Sequence, residues 1–358
     1  MRGAATTPTG SKIAVTLHRG APAGSLRGLF RLGLPVKPRM SASAAPDAGP
    51  VSGPLMDLIT RVDNVPLDFE DNHAPFYRLF LAPDPRPHGY VHPDTVAAMP
   101  WPASFAVDHA RREVVLAAPP AGASLSEHAN AAFQAAVDAA IAGDVFPTVN
   151  GMHSEHFLLM GARAFVQIER FAAPLFGIAM RGAHLTCYVP TPQGPRVWVA
   201  RRSRSLFTYP GMLDSTVAGG VKSTHSPLDC ILAEAAEEAC LPPDLVSGSV
   251  RSAGAVTLAN RNAQTGLFHA EVLYAYDLAL PAGVVPRPGD GEVEAFTLMG
   301  CGEVRARMHA GEFKPNVCAV MVDFLVRHGE VTPEGEADYV DVCARLRRRL
   351  PMPTGPDV

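Results

Sequence analysis

The sequence predicts an α/β/α sandwich on a mixed sheet, preceded by a small α+β module. Strand-like segments of period two, such as RVWVARRS from Arg196, are interleaved with helix-like stretches. One helix follows a glycine turn at Gly219, and another, VCAVMVDFLVRHG, stops at Gly329. With 358 residues, 47% of them hydrophobic and 18% charged, the chain can bury a substantial core.

Residues 1–54 read as a leader and Pro/Gly/Ala-rich linker. The first 46 hold seven basic residues (Arg2, Lys12, Arg19, Arg27, Arg31, Lys37 and Arg39) and no Asp or Glu. That composition is like an organelle transit peptide, with the mitochondrion the expected address, or the chloroplast in a photosynthetic source. Translation from Met40 would instead leave a cytoplasmic protein. Residues 55–180 read as the α+β module. It opens with the helix MDLITRVDNV, continues with strands YRLFLAP, GYVHPD and EVVLAAP, and then has a helix from Ser124 to about Ile141 that stops at Gly143. Ser124 and Glu127 are spaced for a capping box, and AFVQIER follows as a strand. Residues 181–330 form the sandwich, with strands HLTCYV, RVWVARRS, SAGAVTLAN, HAEVLYAYDLAL and EVEAFTLM and the two helices already named. Residues 331–358 are a tail in which ADYVDVCARLRRRL is expected to be a surface helix.

Several function classes are excluded. Seven of the 31 Lys and Arg fall in the leader, leaving 24 against 35 Asp and Glu, a balance that argues against a nucleic-acid partner. No apolar run is long enough to span a bilayer. Six cysteines without a CxxC pair read as reduced, mostly buried thiols. His153, Glu155 and His156 lack the i, i+4 histidine spacing of zinc helices, so zinc is not expected there. Phe157 and Trp198 are expected in the core. Nothing in the residues specifies an oligomeric state.

The chemistry is concentrated in GGVKSTHSPLDCILAEAAEEACL, from Gly219 to Leu241. Glu234, Glu237 and Glu238 stand at i, i+3 and i+4, neighbours on a helix surface that repel unless a cation lies among them. A solvated acidic stripe is the competing reading. Oxygen donors select hard ions, so the cofactor is expected to be Mg2+ or Mn2+, and the partner a small-molecule diphosphate. Arg201, Arg202 and Arg204, just before the Tyr209–Pro210–Gly211 turn, would suit a phosphate, and Asp214 could orient a ligand.

In spacing, Gly219, Glu234, Glu237 and Glu238 fall in register with the signature box of the Nudix hydrolases, which the segment resembles. His225, Ala233 and Cys240 stand where the box carries a glutamate, an arginine and a glycine. Together with IERFAAPLFG, RGAHLTCYV, RRSRSLFTYPGMLDSTVAGG, DGEVEAF and FKPNVCAVMVDFLVRHG, the chain is similar to a Nudix subfamily associated with thiamine pyrophosphokinase, across roughly residues 55–330. Members of that subfamily also lack the early glutamate. The resemblance implies a Nudix fold and a metal held by Glu234, Glu238 and the Gly219 carbonyl. It makes Glu237 a third ligand or the general base. Glu292 is the candidate remote carboxylate, with Glu294 its rival, and Glu155 becomes a binding candidate from the N-terminal module. The implied reaction is removal of the terminal phosphate from oxidised thiamine diphosphate. Alternatives are an 8-oxo-dGDP phosphatase, a catalytically weak diphosphate-binding module motivated by Ala233 and Cys240, and an isomerase of the isopentenyl diphosphate type that would need Cys187 as its thiol. A kinase activity would require a further domain and is not expected.

Overall fold

The computed structural model describes residues 53–151, 155–281 and 283–355. Apart from Gly53 and Pro54 the expected leader and linker lie outside these residues, as does His153. After a short helix α1 (Leu55–Thr60), the chain lays down β1 (Tyr77–Leu81), β2 (Pro87–Val91), α2 (Pro93–Ala98), β3 (Phe105–Asp108) and β4 (Glu113–Leu116). These four strands form one sheet in the order β2-β1-β4-β3, covered by the long helix α3 (Leu125–Ala142). Ser124 caps α3 by accepting from the Glu127 N–H, one of the two bonds of the expected box. A hairpin follows, β5 (His156–Leu158) with β6 (Gln167–Glu169).

The second sheet contains β7 (Ala179–Val189), β8 (Arg196–Arg202), β9 (Leu213–Asp214), β10 (Val217–Gly220), β11 (Arg251–Arg261), β12 (Phe268–Ala279) and β13 (Val293–Gly300). Its order is β11-β12-β7-β8-β13, with β7 and β12 parallel and the remaining pairs antiparallel. Strands β7 and β8 pair only over Tyr188↔Val197 and Val189↔Arg196. Beyond that they diverge, and the gap is taken by β9 on β8 and β10 on β7. That split is what brings Asp214 to Gly220 into the middle of the sheet.

Alternation along these strands serves two faces. Ala183, Leu185 and Cys187 of β7 meet Cys230, Ile231 and Ala235 of α4 (Pro227–Glu237) and Val246 of α5 (Pro243–Ser249). Val197 and Val199 of β8 and Leu273 of β12 face the other way, onto α6 (Cys301–His309) and α7 (Pro315–Arg327). The result is the expected α/β/α sandwich on a mixed sheet.

Two features depart from the sequence reading. Leu55, Leu58 and Ile59 of α1 are buried in the same core as α7, so this helix covers the sandwich. The tail helix α8 (Tyr339–Arg345) is not a surface helix, because Val342 and Leu346 enter that core and Arg345 and Arg348 pair with the fully buried Asp63. An apolar face hidden among arginines reads as exposed in sequence.

The small sheet and the sandwich meet at Gly177, which holds φ +60° and whose carbonyl accepts from Tyr90 N–H at 3.1 Å. A side chain there would collide with the Tyr90 backbone, so only glycine permits the approach. The described residues fall in one compact unit.

Candidate active site

Helix α4 is built to start abruptly. Ser226 accepts from the Asp229 N–H at 3.1 Å and the Asp229 carboxylate accepts from the Ser226 N–H at 2.9 Å, a reciprocal capping box, with Pro227 at the first helical position. Its far end is closed by the backbone of the 285–291 loop, where Arg287 N–H donates to the Ala239 carbonyl and Gly289 N–H to that of Glu238. Just past that end Cys240 takes φ +49°, the left-handed conformation that explains a glycine at this position of the box.

The three glutamates come together unequally. Glu234 lies directly over Gly219 of β10, where an added Cβ would stand 2.5 Å from its Oε1 and 2.7 Å from Cys230 Sγ. Glu238 is 6% exposed, and its Oε2 accepts from the Ala218 N–H at 3.3 Å. Glu237 is exposed at the rim. Burial, then repulsion from Glu234 and Asp214, pushes the Glu238 carboxyl up to about 9. Burial, then the charges of Glu237, Glu292 and Glu155, pushes Glu234 up to about 7, and Lys222 offsets this only in part.

Glu238, Asp214, Glu292 and Arg202 line a cavity of about 10 Å³, room for one water-sized group. Glu292 therefore faces the acids of α4, whereas Glu294 lies 3.6 Å from Arg204. Asp214 is 4% exposed and held by three groups: Arg202 at 3.1 Å, the Ser215 N–H at 2.8 Å and Lys314 at 4.0 Å. Beneath it, fully buried His184 meets Ser215 Oγ at 2.9 Å, and burial lowers its pKa to about 4, so the imidazole is neutral.

Among the described residues no three His, Cys, Asp or Glu side chains are already close enough to enclose an ion. The donor set nonetheless fits a hard divalent cation, since buried Glu238 and half-buried Glu234 stand together with no full counter-charge, next to an ion-sized space carrying two more carboxylates. Glu234, Glu238 and Glu292 are the residues that could hold it.

The arginines predicted to cluster are spread apart. Arg202 donates to Asp214 and to the Thr208 and Tyr209 carbonyls, and Arg201, on the opposite strand face, donates to the Gly211 carbonyl. These bonds brace the turn at Tyr209, which holds φ +51°, while exposed Arg204 points to Glu294. Glu155 is clamped between Arg170 at 2.7 Å and Lys222 at 3.0 Å. Burial raises its pKa, but hydrogen bonds from Lys222 and Arg170 outweigh that and hold the carboxyl below its ordinary value. Through this clamp the β5–β6 hairpin of the first module reaches the site, aided by Ser223 Oγ donating to Gln167 at 2.6 Å. Cys187 is fully buried in the core, and burial pushes its thiol up to about 12, which removes the isomerase reading.

Sequence reasoning missed Lys222 and Lys314. Lys222 was visible as the single cation between Gly219 and Glu234, and Lys314 only as part of FKPNV. It also missed Arg181, which holds the loop before α4 by donating to the Lys222 carbonyl at 2.9 Å.

No family model matches the chain. It is 31% identical over 320 residues to the uncharacterized protein YJR142W of Saccharomyces cerevisiae, covering 84% of this chain and 92% of that one. Over 189 residues it is 39% identical to Nudix hydrolase 20, chloroplastic, of Arabidopsis thaliana, covering 52% of this chain and 50% of that protein. A solved NUDIX hydrolase from Alicyclobacillus acidocaldarius gives a TM-score of 0.32 at 15% identity, over 40% of this chain and 89% of that chain. The sandwich and its carboxylate centre define the class as a mixed-sheet α/β protein with an acidic, hydrolase-like site. The match to the plant enzyme supports a Nudix hydrolase, and the chain is a relative of the yeast protein across nearly the whole of that sequence. It spans about half the length of the plant enzyme it matches.

Proposed function

We propose that this protein is a divalent-metal-dependent hydrolase that releases the terminal phosphate of a diphosphate, with oxidised thiamine diphosphate as the substrate. The observation that carries the reading is the incompletely neutralised pair of half-buried Glu234 and buried Glu238, beside the small cavity with Asp214 and Glu292. Glu234, Glu238, Glu292 and the Gly219 carbonyl would hold Mg2+ or Mn2+. When bound, that ion supplies charge neutralisation at the phosphate oxygens.

The remaining roles belong to the chain. Glu237, exposed at the rim, accepts the proton of the attacking water as the bond between the terminal phosphorus and the bridging oxygen breaks. Arg202 keeps Asp214 in place and braces the Tyr209 turn. Arg201 braces the same turn through the Gly211 carbonyl, and Lys222, held by Glu155, offers a cation at the Glu237 edge. The oxidised-thiamine assignment follows from the subfamily resemblance, and an organelle address, the mitochondrion first, would place such repair beside thiamine-dependent enzymes. The plant relative is named chloroplastic, and no helix among the described residues is long and apolar enough to cross a membrane.

Phosphate release should be measured with thiamine diphosphate, its oxidised derivatives, 8-oxo-dGDP, ADP-ribose and ADP, with Mg2+ or Mn2+, for wild type and Glu238→Gln. Preferred turnover of the oxidised thiamine diphosphates, falling at least about a hundredfold in the variant, is expected. Preference for 8-oxo-dGDP would keep the mechanism and replace the substrate. No metal-dependent release from any compound would leave a diphosphate-binding module.

A further inference from the structure

A second polar cluster lies on the α7 side of the sheet. His269 and Glu271 are alternate residues of β12, so they share one face with Leu273, which packs under α7. Asn316, in the first turn of α7, donates to Glu271 at 3.2 Å. A carboxylate can only accept, so the amide nitrogen faces it and the amide oxygen is the free end. That oxygen is buried without a partner, and so is His269 Nε2. Each such group is unfavourable unless something satisfies it.

The cluster is continuous with the acid centre. Lys314, the residue before α7, is 4.0 Å from Asp214 and sits 6.0 Å over the ring of Tyr209, which is 44% exposed. Glu271 bears on Tyr209 as well, adding to the burial that raises its phenol. The half-exposed Tyr209 ring thus connects Lys314, at the acid centre, with the field of Glu271.

Resting on the hydrolase reading, we propose that Glu271 and the Asn316 amide oxygen form the subsite for the organic end of the substrate, a nitrogen heteroaromatic ring bearing an amino group and stacked on Tyr209. The amino group donates to the two acceptors, and His269 Nε2 meets a ring nitrogen or its hydrogen. Isoprenoid diphosphates carry no donor on their organic end, and the site selects against them because its acceptors would stay unsatisfied. Lys314 holds the Tyr209 ring and stands near the phosphates.

Two measurements test this. The first is phosphate release from an oxidised thiamine diphosphate, from its analogue with the amino group replaced by hydrogen, and from methyl diphosphate, using wild type, Glu271→Leu and Glu271→Gln. In Glu271→Leu, KM for the amino-bearing substrate is expected to rise roughly tenfold to a hundredfold, the worth of a hydrogen bond to a charged acceptor. Methyl diphosphate should be unaffected, and Glu271→Gln, which keeps an acceptor, should recover part of the loss. Equal effects on all three substrates, or none, would overturn the subsite.

The second is titration calorimetry of the ring-bearing monophosphate, which needs no turnover. Binding by wild type and its loss in Glu271→Leu would sustain the subsite even if no phosphate release were found. Equal binding by both proteins would overturn the subsite while leaving the hydrolase reading intact.

Discussion

Cys240 shows how a single residue departs from the Nudix box it resembles while keeping the turn the box requires. It keeps the left-handed turn at φ +49° after α4, with Gly289 packed close to its sulfur. An L-residue there costs about 1–2 kcal/mol relative to the right-handed region, and glycine gives back part of that gain through its freer unfolded chain. Cys240→Gly is therefore expected to stabilise by about 0.5–1 kcal/mol, a rise of roughly 1–3 °C in thermal midpoint. A lower midpoint by thermal scanning would mean that the thiol is held by packing rather than strained. Residue identity made the three glutamates, the glycine and the missing arginine legible in sequence. It did not reveal that Glu155 is tied to Arg170 and Lys222, because those partners are 15 and 67 positions away.

At the scale of elements, α4 matters because it alone carries Glu234, Glu237 and Glu238. Its reciprocal cap sets where the helix begins and hence the rotation of its acidic face. Ser226→Ala should cost about 1 kcal/mol, and Ser226→Gly only a few tenths. Because the same helix would hold the metal, the Mg2+ concentration for half-maximal activity should rise in Ser226→Ala by a small factor, read by metal titration. No change in either quantity would show that packing against β10 suffices to place the helix. The long strands were legible because β8 alternates apolar and polar residues and β12 is a long apolar run. Strands β9 and β10, of two and four residues, carry no readable period, and α6 is too charged to show an apolar stripe. Yet β9 and β10 supply Asp214 and Gly219.

At the scale of the molecule, the acid pair couples stability to pH and to metal. The folded-state pKa values of Glu234 and Glu238, about 7 and about 9, lie above the ordinary 4.5. Each carboxyl binds its proton more tightly in the folded state. The stability this gives is fully present below pH 4.5 and is lost as pH rises through about 7 and then about 9. In chelator, the thermal midpoint should fall across that window relative to Glu238→Gln, whose upper slope is expected to flatten. Added Mg2+ should restore the wild type most at the alkaline end. An identical pH profile in the variant, or equal stabilisation by Mg2+ at pH 5 and pH 9, would sink this account.

By itself the sequence determined the long strands, the principal helices, the acidic face of α4 and its likeness to the Nudix box, because these depend on local pattern and fixed spacing. Only the tertiary structure decided which carboxylates meet. The divergence of β7 from β8 carries Asp214 beside Glu238, the turn after residue 289 brings in Glu292, and the first module presents Glu155 to Lys222. Such contacts join residues far apart in the chain, and burial, which sets the strength of their repulsion, exists only once the sheet has closed over them.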